Sequence, residues 1–208
     1  MPSDCDSLFR VKDKCIAITG AAGVLCSAMA KDLARRGAKI CVIDYDAIRG
    51  NEVVKDIESE GGFAIPVEAN VLDRGQVQDA FECAVQSMGR VDVLINGAGG
   101  NKKEATVSLD TSFFDLPADA LEWVFNLNCV GTMLPSQVFG RYMAENQAGV
   151  IINISSMNAF RPLTNIAAYS AAKAAVSNFT QWLSTYMCQN FSPEIGRASC
   201  RERVCHRV

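Results

Sequence analysis

Val150-Ile-Ile-Asn-Ile-Ser-Ser156, a loop, and then Tyr169-Ser-Ala-Ala-Lys173 is the stretch whose reading decides the fold. Val150 to Ile154 is a short apolar run, the pattern of a buried strand. A polar loop carrying Arg161-Pro162 follows. From Ala167 to Asn190 the chain is alanine-rich and lacks Gly and Pro, which predicts a long helix. Tyr169 and Lys173 stand four residues apart and so share a face of that helix. Ser156, at the strand's exit, can face them. A hydroxyl, a phenol and an ammonium would then meet at one point. A free phenol has a pKa of about 10. A neighbouring cation favours the phenolate, and a general acid–base works best with its pKa near the working pH. The bland alternative is a half-buried aromatic beside a surface charge.

Working outward, the preceding chain alternates strands and helices. Lys14 to Ile18 reads as a strand and runs into Thr19-Gly20-Ala-Ala-Gly23. An amphipathic helix, Val24 to Arg36, closes at Gly37, a C-cap signal. Strand, Gly-rich turn and helix form a dinucleotide-binding opening, because glycines admit a pyrophosphate and the helix N-terminus offers N–H donors. Cys26 stands where a third glycine is expected. Lys39 to Ile43 is the second strand, ending in Asp44. A carboxylate about 20 residues past the turn can accept hydrogen bonds from ribose hydroxyls and repels a 2′-phosphate, and no arginine follows directly. That favours NAD over NADP. The alternative is a turn or N-cap aspartate.

A helix over 47–60, a strand over 63–67, a helix over 74–88 and a strand over 91–95 come next. Asn96-Gly-Ala98-Gly99-Gly100 then places a second Gly-rich turn where the ligand crevice of a doubly wound sheet is expected. Asn101 to Ala118 is a long loop whose Phe113 and Phe114 favour an ordered flap. A helix from about Pro117 to Asn146 should kink at Pro135. Asn128 falls among its apolar residues and, if buried, must brace the fold or hold a functional water. These alternations predict a single α/β domain with a doubly wound, mostly parallel, Rossmann-like sheet.

The bulk properties exclude several classes. With 208 residues, a formal charge of −3 and no long apolar run, there is no electrostatic case for nucleic acid and no predicted membrane span. The N-terminus lacks the pattern of a secretory signal, so a cytoplasmic protein is expected. Nine cysteines without a C-x-x-C pair read as buried thiols rather than disulfides or a metal site. With His206 the one histidine, a histidine-based triad is not expected.

Together Thr19-Gly20-x-x-Gly23, Asp44, Asn96-x-Ala98-Gly99, Asn128, Ser156 and Tyr169-x-x-x-Lys173 resemble the short-chain dehydrogenase/reductase family over roughly residues 10–190. The resemblance implies that Tyr169 is the acid–base and that Lys173 tunes it and holds the nicotinamide ribose. It implies that Ser156 binds the substrate oxygen and Asn128 keeps a relay water. It implies NAD contacts at Thr19, Gly20, Gly23, Val24, Leu25, Asp44, Asn70, Val71, Asn96, Ala98, Gly99, Tyr169 and Lys173, no metal, and homo-oligomers pairing through the two long helices.

Three departures stand out. Glycines usual at Val24 and Cys26 are absent, Gly23 taking the place of one. Asn70 replaces the usual acidic residue near the adenine. Gly97 replaces the second asparagine of Asn-Asn-Ala-Gly. Residues 23–30, 96–101, 134–139 and 155–164 are similar to the bacterial D-mannonate oxidoreductase (fructuronate reductase) branch. That likeness implies a sugar-acid substrate whose carboxylate pairs with Arg161 and whose hydroxyls meet Ser156, Asn158, Asn101 and Lys102.

After Asn190 the family expects further strands. Here Gly196 to Val208 is an arginine-rich tail without strand or helix period. The expectation is a domain over 1–195 lacking its last strands, followed by a scar of frameshift or sequencing origin over 196–208. Ile151, Ile152 and Ile154 should then form an exposed apolar edge.

Overall fold

The computed structural model describes residues 10–161 and 163–191; the tail over 196–208 lies outside them. Five strands form one wholly parallel sheet in the order β3-β2-β1-β4-β5. They are β1 (Cys15–Thr19), β2 (Lys39–Asp44), β3 (Phe63–Glu68), β4 (Val93–Asn96) and β5 (Val150–Asn153). The helices between and after them are α1 (Val24–Arg35), α2 (Ala47–Ser59), α3 (Arg74–Met88), α4 (Ala118–Phe125), α5 (Gly131–Glu145) and, following β5, α6 (Ala167–Asn190). A chain that winds outward from β1 in both directions is the doubly wound arrangement, with its crevice beyond the strands' carboxyl ends between β1 and β4.

The core follows from strand alternation. Cys15 and Ala17 point to one face with Cys41, Ile43, Leu94 and Ile151, where α3 and α5 supply Val77, Ala80, Ala84, Phe139 and Met143. Ile16 and Ile18 point to the other with Ile40, Val42 and Ile95, against Ala30 and Ala34 of α1 and Val53, Val54 and Ile57 of α2. Both faces are covered, so the central strands read as continuous apolar runs. Aspartates start two helices: Asp46 accepts from the Arg49 N–H, and Asp73 from those of Gly75 and Gln76. Gly89 ends α3 at φ 84°, a conformation glycine adopts without penalty.

Three expectations need correction. The helix expected over 117–146 is divided, and not at Pro135, which lies inside α5. The interruption falls earlier, at a π-helical turn over Asn126–Val130. There the Asn128 amide donates to the Val124 carbonyl and the Thr132 hydroxyl to the Asn128 carbonyl, supplying side-chain donors to the widened turn. The flap is not held by its phenylalanines, since Phe113 and Phe114 are exposed. It is pinned by buried Ala105 and Leu116 and by the Val107 N–H to the Asn165 carbonyl, 2.8 Å. Finally, β5 is an edge strand among the described residues, yet its isoleucines are not an exposed stripe. Ile151 is buried in one core face, and Ile152 and Ile154 pack partly buried against the other. Side chains leave a strand toward the sheet's faces, so an open edge exposes backbone rather than side chains.

Candidate active site

Two Gly-rich turns are zipped together at the carboxyl ends of β1 and β4. Gly20 has φ 64°, and a Cβ there would lie 2.7 Å from the Ala98 Cα and N. The Thr19 hydroxyl accepts from the N–H groups of Gly97 and Ala98 at 3.2 and 3.3 Å. Thr19 is 1% exposed, so its side chain joins the turns. The Asn96 side chain, at the end of β4, is spent on α5 and β5 instead. Its amide donates to the Ser136 hydroxyl and to Asn153 Oδ1 at 2.9 and 2.8 Å. Asn96 Oδ1 is buried with no protein partner. Neither side chain offers a surface to a ligand.

The N-terminus of α1 opens onto these turns. Its cap residue, Gly23, has no side chain to satisfy the first-turn N–H groups, in contrast to α2 and α3. Val24 and Leu25 in that turn are 87% and 59% exposed. Glycine-lined backbone and an uncapped helix pole together fit a dinucleotide pyrophosphate. Asp44 ends β2 as expected, but its carboxylate is already engaged. One oxygen accepts from the Ala22 N–H at 2.8 Å and the other from the Asp46 N–H at 3.1 Å. Arg49, which the sequence reading passed over, folds back from α2 so that Nη2 donates to the Ala22 carbonyl, 2.9 Å. Asn70 closes a local turn by accepting from the Leu72 N–H, and Val71 is buried.

Lys173 is 4% exposed and donates to the Ile154 carbonyl at 2.8 Å. Burial pulls its ammonium down to about 8 from the usual 10.5, with Cys26 acting weakly the other way. Its nitrogen lies 5.7 Å from the centroid of the Tyr169 ring. Tyr169 packs, half-buried, against Ala105, Ala120 and Val124. Asn128 is 0% exposed and holds the second turn at Gly100, donating to its carbonyl at 2.7 Å and accepting from its N–H at 3.2 Å. Both amide hydrogens are thereby used on backbone carbonyls, so Asn128 is a brace first. Gly99 lies over both groups. A Cβ there would come 2.5 Å from Asn128 Oδ1 and 3.3 Å from Lys173 Nζ. Turn, Asn128, Lys173 and Tyr169 are thus one cluster, at the same end of the sheet as the first turn.

Ser156 follows β5 and accepts from the Asn158 N–H at 3.2 Å. That bond uses a lone pair and leaves the hydroxyl proton to donate. The 3₁₀ turn it starts, Met157–Ala159, packs on α6. Asn158 is 8% exposed, whereas Arg161 and Asn101 lie at the surface. Asn101 donates to the Thr106 hydroxyl within the flap. Among the described residues no His/Cys/Asp/Glu group is arranged to hold a metal, no helix is long and apolar enough to cross a membrane, and Cys15, Cys26, Cys41, Cys83 and Cys129 are free thiols.

A family profile described as short chain dehydrogenase matches residues 14–190. The chain belongs to the short chain dehydrogenase family. Two curated members are similar over 85% of this chain: an uncharacterised oxidoreductase of Haemophilus influenzae, 46% identical, and the uncharacterised oxidoreductase UxuB of Bacillus subtilis, 44% identical. The chain spans 66% of the length of each. A crystal structure from Haemophilus influenza with bound NAD, of a protein proposed to be a D-mannonate oxidoreductase, superposes with a TM-score of 0.83. It is 44% identical and covers 89% of this chain and 70% of its own. In this member of the family the doubly wound sheet and the two Gly-rich turns are those the sequence predicted. What the sequence did not show is that Thr19 and Asn128 are spent largely on holding the turns, and Asn96 on tying β4 to α5 and β5.

Proposed function

We propose that this chain is the nucleotide-binding and catalytic part of an NAD(H)-dependent oxidoreductase acting on the carbonyl or hydroxyl carbon of a sugar acid. The observation that carries the chemistry is Lys173. It is buried beneath Gly99, hydrogen-bonded to Ile154 and set beside the Tyr169 ring, at the mouth of a turn that fits a dinucleotide. Bound nicotinamide supplies or accepts the hydride. Tyr169 passes the proton to or from the substrate oxygen, and the Ser156 hydroxyl donates a hydrogen bond to that oxygen. Lys173 orients the nicotinamide ribose and keeps positive charge near the phenol. Asp44 holds Ala22 and meets the adenosine ribose with a negative charge, which favours NAD over NADP.

The sugar-acid reading rests on the likeness to the NAD-bound structure and on the side chains of the rim. Arg161 pairs with a carboxylate, and Asn101, Lys102 and Asn158 with hydroxyls. Homo-oligomers pair through α5 and α6, where Trp182, Tyr186 and Phe191 line a groove of about 800 Å³. The test is NADH binding by fluorescence, followed by fructuronate-dependent NADH oxidation, in the parent and in Tyr169→Phe. The expected result is tighter binding of NADH than NADPH, turnover in the parent, and a loss of about 10²-fold or more in the variant with binding intact. Binding without turnover in the parent would leave only a nucleotide-binding module.

A further inference from the structure

Cys26, in the first turn of α1, and Gly97, which begins the second turn, meet at one point. A Cβ on Gly97 would lie 2.1 Å from the Cys26 sulfur and 2.9 Å from the Thr19 carbonyl oxygen. Gly97 is not among the glycines with positive φ, so no left-handed backbone strain bars a side chain there. The thiol is the main excluding group. Cys26 is 3% exposed and belongs to the core face of α1, so it has nowhere to swing.

The consequence runs along the turn. Residues 97 and 98 are tied to Thr19, residue 98 presses on Gly20, residue 99 lies against Asn128 and Lys173, and residue 100 is bonded to Asn128. A displacement at Gly97 therefore reaches Lys173 within a few residues. We propose that Cys26 is a positioning residue: packed against Gly97, its sulfur sets the height of the 97–100 turn over Asn128 and Lys173. The link to nucleotide binding rests on the function proposed above; the packing contact does not.

The test is a double-mutant cycle of Cys26→Ala, Gly97→Ala and the pair. Cys26→Ala keeps a good helix former and removes only the sulfur, leaving a Cβ 3.7 Å from the new methyl. The readouts are the thermal midpoint, the pH midpoint for acetylation of Lys173, and NADH affinity. Gly97→Ala alone should lower the thermal midpoint by about 5 °C or more. It should also raise the Lys173 midpoint from about 8 toward 10.5 as the lifted turn admits water. The pair should recover at least half of each change, less than all because the Thr19 carbonyl stays close. Additive losses in the pair would overturn the contact between Cys26 and residue 97. Recovered stability with a Lys173 midpoint that Gly97→Ala never moved would overturn the positioning role. If the parent binds no NADH, the proposed function fails, while the thermal and acetylation readouts still decide the Cys26–Gly97 pair.

Discussion

Lys173 is both the residue easiest to find in the sequence and the one whose behaviour the sequence conceals. Its spacing from Tyr169 is a helical i, i+4 pair, visible in any reading. Its burial comes from Gly99 above, Ile154 beside and α6 itself, and it is burial that lowers its pKa to about 8. The pH dependence has a definite sign. Between pH 8 and 10.5 the unfolded chain keeps the proton that the folded chain has lost, so stability rises with pH in that window. Compared with Lys173→Met, the parent should gain about 3 kcal/mol of unfolding free energy between pH 8 and 10.5. Urea titrations across that range measure it, and the subtraction cancels the cysteines, which titrate in both. A flat difference would mean the ammonium is not desolvated. Thr19, Asn96 and Asn128 teach the converse. As residue types in motif positions they signal a site, yet each side chain is engaged mainly by protein backbone or by neighbouring side chains.

The elements that make the site are two turns and one irregular helix. Gly20 sits at φ 64° with the Ala98 backbone 2.7 Å from where a Cβ would be. Gly20→Ala therefore meets both a backbone penalty and a steric one, neither relieved by a rotamer change. It should destabilise the protein by about 2 kcal/mol, read as a lower urea midpoint at unchanged slope. A midpoint equal to the parent's would show that the turns are not in contact. The strand–turn–helix pattern was legible because apolar runs, glycines and caps are local signals. The break over Asn126–Val130 was not. Pro135 was the only local cue, and the widened turn is held by Asn128 and Thr132 side chains that bond within the helix. The Cys26–Gly97 contact was equally hidden, since each residue alone looked like a lapse from the pattern.

On the scale of the whole molecule, protection should be graded outward from β1. Ile16, Ala17 and Ile18 are 0–2% exposed and lie between β2 and β4. Their amides should exchange only through global unfolding, about 10³-fold or more slower than those of residues 108–114 in the exposed part of the flap. Hydrogen exchange resolved by peptide measures this, and comparable rates would place the stable core elsewhere. The sequence by itself determined the α/β class, the parallel winding, the Tyr169–Lys173 pair and the position of both Gly-rich turns. All of these are written in periodicity and in residues with special backbone preferences, which act over a few neighbours. Only the tertiary structure decided which motif residues hold the turns, that the β5 isoleucines are covered, and that Cys26 and Gly97 share one space. Those outcomes depend on contacts between residues tens of positions apart, where a side chain's role is set by which neighbour takes its hydrogen bond or fills its volume.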